Sequence, residues 1–533
     1  MDLRYHNGCL KVFLTDKNKR IPPEQWGVYA TTGYGKSLCE EGIVEAYFNA
    51  GFIVIYLGDG MKGEEEGAYA MFEPEEKYHL ALLKKEGKHP RKVEVKLYHP
   101  FTFNIPSNSI PDYNFFTIPI KNLGRRDFSM LAETQADSDT IRILLQASQN
   151  LSKEGGIYQL LHDIQTLIKG KRKDDSVSPS QNNFYLTVSS GTAKSMQDIS
   201  NLFQAFKKDY FLVKENCDYT LDMKKILSDN KSIHFFSTKY LRDPKIKEFI
   251  LLVVLNKILE NKDYAKHPVC IVIPEIRRLC PDKAIGYQKF LSEAIKEALS
   301  TMRSQGQGGF ASILSSQSWN DTEQGVRDSH SITLLGKLNI NDIDKISKVL
   351  GYNRERRLEL ANPPSQNSWL QIGREGLDWW HYFTPSWCHA EPEYKFEEMF
   401  KKYYPEKMKK YSELINTLKT LLNEEEAKFK DKAKREEEEE RKRYEQKKKE
   451  REQRIGNNQV QDVRQKEREF KEQGKLKDME RAQRMREEGL TLIDIANKLG
   501  TSKDSVRRWL LRYELIKKTQ EPELSNTPTE DKS

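Results

Sequence analysis

Residues 25–57 combine two apolar runs with a glycine-containing turn, and this order leaves few folds open. "QWGVYA" (25–30) predicts a short strand, "TTGYG" (31–35) a turn, "KSLCEEGIVEAYFNAG" (36–51) a helix, and "FIVIYL" (52–57) a second strand. The second strand is apolar throughout, as expected for a central parallel strand that is covered on both faces. A strand, turn, helix and strand in about thirty residues therefore predict an α/β fold with a mostly parallel sheet.

The turn has the residues of a phosphate-binding loop. Residues 30–37 read "ATTGYGKS", with Ala30 where the general pattern has glycine. Such a loop binds phosphate because its amides point inward and the next helix presents its amino terminus to the anion. We expect Ala30 to restrict the strand end without abolishing the site, although a chance GKS at a helix start is an alternative. The residues predicted to bind the phosphates are Thr31, Thr32, Gly33, Tyr34, Gly35, Lys36 and Ser37.

Two of these residues have side chains with a chemical role. In a phosphate loop of this kind the lysine, here Lys36, reaches the β- and γ-phosphates, and the hydroxyl of Ser37 binds Mg²⁺. ATP and Mg²⁺ are therefore the predicted cofactors.

A second candidate strand ends in an acidic residue. "HPVCIVIPEIRRLCP" (267–281) contains an apolar run followed by Pro274 and Glu275. Glu275 stands where a carboxylate would activate water, and it is a candidate Mg²⁺ ligand through a water molecule. Pro274 occupies the place of the usual aspartate, which makes hydrolysis uncertain. The alternative is a strand that merely ends in Pro-Glu.

A third candidate strand, "GFASILSSQS" (309–318), ends at Gln317 and follows a predicted helix at 287–307. An amide at the tip of a strand beside a phosphate loop can sense the γ-phosphate or position water. By itself a residue such as Gln317 is more often an ordinary strand cap than a sensor, so its interest comes from its place after the other two elements.

Together these elements resemble the HerA/FtsK superfamily of DNA-pumping P-loop ATPases. "ATTGYGKS" is similar to its phosphate loop, "CIVIPE" stands at its acidic strand, and "MRSQGQGGFASILSSQS" looks like its arginine, turn and glutamine-tipped strand. Residues 222–260 also look like the strand and long helix that precede the acidic strand, so the likeness covers about residues 20–390.

The resemblance implies a RecA-like P-loop NTPase fold, a homo-oligomeric ring, usually a hexamer, and double-stranded DNA as partner. It implies that Glu275 activates water, that Gln317 is the sensor and that Arg303 is a catalytic finger toward a neighbouring subunit. Arg277 and Arg278 are alternatives for the finger. Asp59 in "YLGDG" resembles an acidic position after the second strand, without a defined role.

Changes in composition predict the domain boundaries. Residues 1–400 form the predicted ATPase domain, with a largely helical insertion at about 125–210. Residues 401–475 are a charged helical arm, either a solvated helix or a poor coiled coil, because an apolar seam is missing. The segment 408–422 could pair with another helix or pack on the globular part, and "GNN" (456–458) would interrupt the arm. Residues 519–533 are polar and predicted to be disordered.

The segment 487–515, "EEGLTLIDIANKLGTSKDSVRRWLLRYEL", predicts a helix-turn-helix within a small all-α domain at 476–518. Gly500 marks the turn, and Thr501 or Ser502 would cap the second helix, with Val506, Trp509 and Leu510 facing inward. An αα-hairpin used for protein contact is the alternative. The second helix is the predicted DNA reader in the major groove. The candidate DNA-binding residues are Lys503, Ser505, Arg507, Arg508 and Arg512.

Composition limits the remaining possibilities. The net charge of +8 is compatible with a polyanionic partner but is mild for 533 residues. Six scattered cysteines, without a CxxC pair, predict reduced thiols in a cytoplasmic protein and no zinc site. "FILLVVL" (249–255) is too short to cross a bilayer. A membrane or capsid partner is left open.

Two functions fit these features. The leading hypothesis is an ATP-hydrolysing DNA translocase for transfer, packaging or segregation, with a DNA-reading module at its carboxyl end. The alternative is a nucleotide-binding DNA adaptor, or a replication or partition protein, with little or no ATPase activity.

Overall fold

The computed structural model describes most of the chain and divides it into two compact units. The units are Met1–Phe429 and Lys430–Ser533. The described residues are 3–6, 9–12, 23–58, 71–75, 77–133, 138–149, 151, 157–170, 200–201, 203, 212–213, 219–304, 309–365, 368–372, 382–385, 388, 391–392, 396–456 and 459–520.

The described strands all lie in the first unit. In chain order they are β1 Leu3–His6, β2 Cys9–Val12, β3 Gln25–Tyr29, β4 Ile53–Leu57, β5 Met71–Phe72, β6 Val95–Pro100, β7 Ile110–Pro111, β8 Tyr113–Phe116, β9 Ile118–Pro119, β10 Leu212–Val213, β11 Ile233–Phe236, β12 Val269–Ile273, β13 Phe310–Ser316, β14 Ile332–Leu335, β15 Trp369–Ile372, β16 Tyr382–Pro385, β17 Glu391–Pro392 and β18 Met408–Lys409.

Twelve of these strands form one sheet in the order β1-β2-β16-β15-β14-β3-β13-β12-β4-β11-β6-β8. Each neighbouring pair from β14 to β8 is parallel, which confirms the predicted α/β class and mostly parallel sheet. Strands β3, β4, β12 and β13 are buried at every residue. Their nearly continuous apolar sequences fit this burial, because helices cover both faces.

Helices lie around the sheet and continue into the second unit. Their bounds are Lys36–Asn49, Lys77–Lys85, Arg125–Ala132, Asp139–Gln149, Ile157–Gly170, Met223–Ile226, Pro244–Glu260, Tyr287–Ser304, Gln324–Asp328, Ile340–Leu350, Arg354–Ala361, Phe396–Tyr403, Ser412–Gly456, Gln459–Glu487, Leu492–Lys498 and Lys503–Gln520. No helix in the described part of the chain is long and apolar enough to span a lipid bilayer.

The two faces of the sheet form separate cores. Along β4, Ile53 and Ile55 join a cluster with helices Pro244–Glu260 and Tyr287–Ser304. Val54 and Tyr56 join a second cluster with helix Lys36–Asn49. This division follows from the alternation of side chains along a strand. The run at 249–255 lies in the first core, inside helix Pro244–Glu260.

The described part of the helical region predicted at about 125–210 packs into the same core. Its described helices are Arg125–Ala132, Asp139–Gln149 and Ile157–Gly170, and Phe128, Leu144 and Leu160 are fully buried in the first cluster. The charged segment at 171–183 lies outside the described residues.

Residues 408–422 belong to the first unit and pack into its second core. Ile415 and Leu418 are buried in the second cluster, and the Tyr411 hydroxyl accepts a hydrogen bond of 3.0 Å from the amide of Tyr113. These contacts explain why the first unit continues to Phe429 although composition changes near residue 400. The described helices here are Ser412–Gly456 and Gln459–Glu487, and residues 457–458 of the "GNN" segment lie outside the described residues.

The second unit contains a small helical cluster near its carboxyl end. Ala482 of helix Gln459–Glu487 is buried together with Ile495, Ala496 and Val506. The last helix continues to Gln520, two residues into the segment predicted to be disordered, and 521–533 lie outside the described residues.

Candidate functional site

The three sequence motifs meet at one edge of the sheet. Because β3, β12 and β13 are mutually parallel neighbours in the order β3-β13-β12, their carboxyl ends lie side by side. The phosphate-loop sequence follows β3, Glu275 follows β12 after one residue, and Gln317 follows β13 directly. A cleft outside the carboxyl ends of parallel strands is where ligands bind in open α/β sheets.

The loop at 31–35 uses left-handed backbone at its two glycines. Gly33 has φ +78° and Gly35 has φ +92°, which residues with a Cβ rarely adopt. The amide of Thr31 donates to the carbonyl of Lys337 at 2.8 Å, and the amide of Tyr34 closes a turn onto the carbonyl of Thr31 at 3.3 Å. Thr31 therefore anchors the loop. The amides left for the predicted phosphate contacts are those of the loop residues other than Thr31 and Tyr34.

Tyr34 is a second anchor of the loop. Its ring is buried and meets Trp369 edge to face at 5.6 Å between ring centroids. Its hydroxyl donates to the carbonyl of Ser368 at 2.6 Å. The buried side chain of Tyr34 thus attaches the loop to the start of β15.

The alanine that departs from the phosphate-loop pattern lies against a glycine that follows another strand. Ala30 is fully buried. A Cβ at Gly336, which follows β14, would lie 2.8 Å from the Cβ of Ala30 and 2.5 Å from Cδ1 of Tyr34. Gly336 therefore leaves the space that the Ala30 methyl and the Tyr34 ring occupy. Sequence reasoning missed this residue, since it lies about 300 positions away along the chain.

Lys36 and Glu275 form an ion pair. The Nζ of Lys36 contacts Oε1 of Glu275, and the side chains of both residues are 14% exposed. Glu275 itself has φ +50° and ψ +45°, an uncommon conformation for a residue with a Cβ. Backbone strain of this kind occurs at functional sites, where the surroundings hold the residue in place.

A chain of polar contacts joins Glu275 to Gln317. The amide of Gln317 lies 3.4 Å from Oε2 of Glu275, and its side-chain Oε1 accepts a hydrogen bond of 3.0 Å from Arg277. Arg277 also lies 3.4 Å from Glu275 and 3.5 Å from Asp321. The predicted water-activating acid and the predicted sensor are therefore brought together.

Glu40 is a buried carboxyl behind this site that sequence reasoning missed. It is 2% exposed, and burial raises the pKa of Glu40 to about 7 even though the nearby Ser315 hydroxyl and the charge of Lys36 both lower it. The charge of Glu275 raises the pKa of Glu40 further. The spacing of four residues from Lys36 on one helix was a signal that could have identified it.

The structure does not bring every predicted residue into the site. Arg303 lies in the last turn of helix Tyr287–Ser304, which leads into the amino end of β13, so it stands toward the opposite edge of the sheet from Gln317. Arg278 belongs to the same short turn as Arg277. Asp59 lies outside the described residues.

The two carboxyl-terminal helices are joined by a capped turn at Gly500. Thr491 caps helix Leu492–Lys498, Gly500 has φ +62°, and Ser502 caps helix Lys503–Gln520 through the amide of Ser505 at 3.2 Å. Val506 is fully buried, and Leu510 packs against the same cluster. Trp509 is half-buried. Of the candidate DNA-binding residues, Ser505 is half-buried and the exposed ones are Lys503, Arg507, Arg508 and Arg512.

Comparisons by sequence return nothing. No protein-family model matches the chain, and no curated protein sequence matches it.

Comparison with solved structures does return similar chains. VirB4 of Thermoanaerobacter pseudethanolicus is 13% identical with a TM-score of 0.40, over 68% of this chain and 88% of its own. The bacterial conjugative coupling protein TrwBdeltaN70, in complex with sulphate, is 14% identical with a TM-score of 0.44, over 73% and 92%. The genome packaging NTPase B204 from Sulfolobus turreted icosahedral virus 2 is 18% identical with a TM-score of 0.22, over 30% and 70%.

The strand order, the left-handed glycines of the loop and the helix that begins at Lys36 define the fold of the first unit. By these features the chain has the α/β fold of a P-loop NTPase, and it is similar to VirB4, TrwB and B204.

Proposed function

We propose that this protein hydrolyses ATP with Mg²⁺ and couples hydrolysis to the movement of double-stranded DNA. The observation that supports it best is the contact of Lys36 with Glu275 beside Gln317, at the end of a glycine loop. Phosphoryl transfer to water requires a cation that binds the phosphates, a carboxylate that accepts a proton from water, and an amide that orients the reacting groups.

Binding of a triphosphate changes the partner of Lys36. The phosphates carry more negative charge and more acceptor oxygens than a single carboxylate. Lys36 therefore turns from Glu275 to the β- and γ-phosphates. Glu275 then has an oxygen available to accept a proton from the attacking water. The side-chain amide of Gln317, whose backbone amide lies beside Glu275, orients that water or the γ-phosphate.

The residues present fit a Mg²⁺ ion that is held mainly by phosphates and water. Mg²⁺ usually keeps several waters and takes one or two protein oxygens. Ser37, in the first turn of helix Lys36–Asn49, offers a hydroxyl, and Glu275 offers a carboxylate through water, whereas Pro274 has no side-chain oxygen. When bound, Mg²⁺ neutralises charge on the phosphates.

The DNA part of the proposal depends on the second unit. Helix Lys503–Gln520 has exposed basic side chains next to a capped turn and a buried apolar face. This arrangement suits a recognition helix in the major groove, with the basic residues on phosphates and base edges. We propose that it reads DNA for a homo-oligomeric ring, in which Arg303 or Arg278 faces the nucleotide of a neighbouring subunit.

The test is steady-state ATPase activity with and without duplex DNA, with particle size measured in the same buffer. We expect DNA to stimulate the rate and Lys36→Ala to abolish it, because the ammonium group for the phosphates is lost. Lys283→Ala, which removes an exposed lysine after β12, is the matched control and should hydrolyse ATP as the wild type does.

The adaptor function is the second candidate, and Pro274 favours it. Proline at the strand end offers no carboxylate to support Mg²⁺, which suits slow turnover. Tight binding of ATP without DNA-stimulated hydrolysis in the wild type would reject the translocase and support the adaptor.

A further inference from the structure

Arg277 contacts three polar side chains of its own chain at the carboxyl edge of the sheet. Its guanidinium lies 3.0 Å from Oε1 of Gln317, 3.4 Å from Oε2 of Glu275 and 3.5 Å from Oδ2 of Asp321. The side chain is 29% exposed, so most of it is buried. An arginine that reached a neighbouring subunit's nucleotide would have to leave all three partners.

We propose that Arg277 is a positioning residue that acts in cis. It holds Glu275 and Gln317 of its own chain in register while Lys36 exchanges Glu275 for phosphate. This inference rests on the proposed nucleotide site and adds a role that the finger hypothesis for Arg277 does not contain.

The backbone around Arg277 supports such a role. Glu275 adopts left-handed backbone, and its carbonyl accepts a hydrogen bond of 2.9 Å from the amide of Arg278, which closes a short turn. Ile276, inside this turn, is fully buried. The turn therefore gives Arg277 a fixed base two residues after the carboxylate that it contacts.

The loop on the other side of Arg277 is anchored as well. Asp342 accepts hydrogen bonds from the Ser318 hydroxyl at 3.0 Å and from the amide of Asn320 at 2.7 Å. Asp321, the third partner of Arg277, follows directly in this loop. The guanidinium thus bridges two fixed segments, one after β12 and one after β13.

The exchange of Lys36 leaves Arg277 as the cation on Glu275. Before the exchange, Lys36 contacts Oε1 and Arg277 lies near Oε2 of the same carboxylate. After it, Arg277 keeps the carboxylate beside the Gln317 amide, so the two groups stay together when the nucleotide is present. A guanidinium suits this task because its planar fork presents several donors in fixed directions.

A double-mutant cycle on nucleotide affinity tests the inference without hydrolysis. The affinities for ATPγS and ADP are measured for wild type, Arg277→Ala, Gln317→Ala and the double variant. If Arg277 acts through Gln317, each single change lowers the preference for ATPγS by about tenfold, and the double change lowers it no further. Additive losses, or an effect of only one of the two changes, would overturn the inference, as would no effect at all.

Controls separate a local effect from loss of folding. Arg277→Ala should keep the ADP affinity and melting temperature of the wild type, and Lys283→Ala should keep the preference for ATPγS. Should Arg277→Ala fail to fold, Arg277→Lys replaces it in the same cycle. Lysine keeps the charge but loses the fork, so we expect most of the preference to disappear. A wild-type preference in Arg277→Lys overturns the inference.

Mixing subunits distinguishes cis from trans action. Arg277→Ala has an intact loop and Lys36→Ala has an intact Arg277, so a ring that contains both would regain activity if Arg277 acted across subunits. We expect no gain above the sum of the separate preparations. Recovery of ATPase activity on mixing would show that Arg277 is a trans finger. Absence of ATPase activity in the wild type would count against the proposed function, and the affinity cycle would still decide the role of Arg277.

Discussion

Lys36 and Glu275 contact each other across β13, although they follow strands β3 and β12 that are not adjacent. The carboxylate therefore contacts the ammonium group that we propose for the triphosphate. In the proposed site, phosphate binding and release of Glu275 are one exchange of partners on a single lysine.

Glu275→Gln should separate binding from hydrolysis. The amide cannot accept the proton of water as a carboxylate does, so we expect the ATPase rate to fall by roughly 10²–10⁴-fold. Affinity for ATPγS should stay the same or increase, because Lys36 loses its competing anion. Glu293→Gln, on the exposed side of helix Tyr287–Ser304, is the control and should change neither quantity. Weaker ATPγS binding by Glu275→Gln would contradict the exchange.

Gly336→Ala should disturb the loop although Gly336 lies outside the loop sequence. The added methyl would press on Ala30 at 2.8 Å and on Tyr34 at 2.5 Å, a degree of overpacking that costs roughly 1–3 kcal/mol. We expect weaker binding of ATPγS by calorimetry and a lower free energy of unfolding.

Gly474→Ala provides the matched control for Gly336→Ala. A Cβ at Gly474 meets nothing within 4 Å, and the residue lies inside helix Gln459–Glu487. This change should leave nucleotide affinity intact and stabilise the helix by roughly 0.5–1 kcal/mol. Wild-type affinity in Gly336→Ala would mean that the loop does not depend on this space.

The stability of the first unit should depend on pH through Glu40. Burial raises the pKa of Glu40 from 4.5 to about 7, so the folded chain binds a proton that the unfolded chain releases over this range. The contribution is therefore fully present below about pH 4.5 and is lost as the pH rises through about 7. Glu40→Gln should be more stable than wild type at pH 8, by on the order of 3 kcal/mol, and equal to it at pH 4.

Denaturant unfolding of the two proteins at several pH values measures this difference. Glu293→Gln serves as the control, and its difference from wild type should not change with pH. A constant difference for Glu40→Gln between pH 4 and 8 would show that the Glu40 carboxyl has an ordinary pKa in the folded chain.

The basic residues of the last helix should determine the salt dependence of DNA binding. We expect Arg507→Ala and Arg508→Ala each to weaken binding to duplex DNA and to reduce the slope of log affinity against log salt by about 1. Basal ATPase activity should not change. Lys477→Ala, which removes an exposed lysine of helix Gln459–Glu487, is the control with the same charge change. Unchanged slopes for both arginine variants would favour the αα-hairpin that contacts protein.

Local sequence predicted the central elements well. The strands expected at 25–30 and 52–57 are Gln25–Tyr29 and Ile53–Leu57, and the helix expected at 36–51 is Lys36–Asn49. Apolar runs, helical periodicity and glycine stops determine such elements within a few residues. The helix predicted at 287–307 is described over Tyr287–Ser304.

The site was harder to predict because its contacts depend on strand order. The sequence places Glu275 and Gln317 at strand ends. Only the order β3-β13-β12 places the strand before Gln317 between the strands that lead to Lys36 and Glu275, and brings Gln317 within reach of Arg277. The same holds for Gly336, whose importance comes from the packing of β14 against β3. No local pattern contains that information.

Because Ala30 and Gly336 share one space, the loop requires a small combined volume at these two positions and not a glycine at position 30 itself. A comparison of residues 30–37 with the motif alone would score Ala30 as a mismatch, although the glycine that makes room for the loop is present at Gly336. Substitutions at these two sites should accordingly be tolerated as a pair more readily than singly, and the tyrosine ring sets the limit of that freedom.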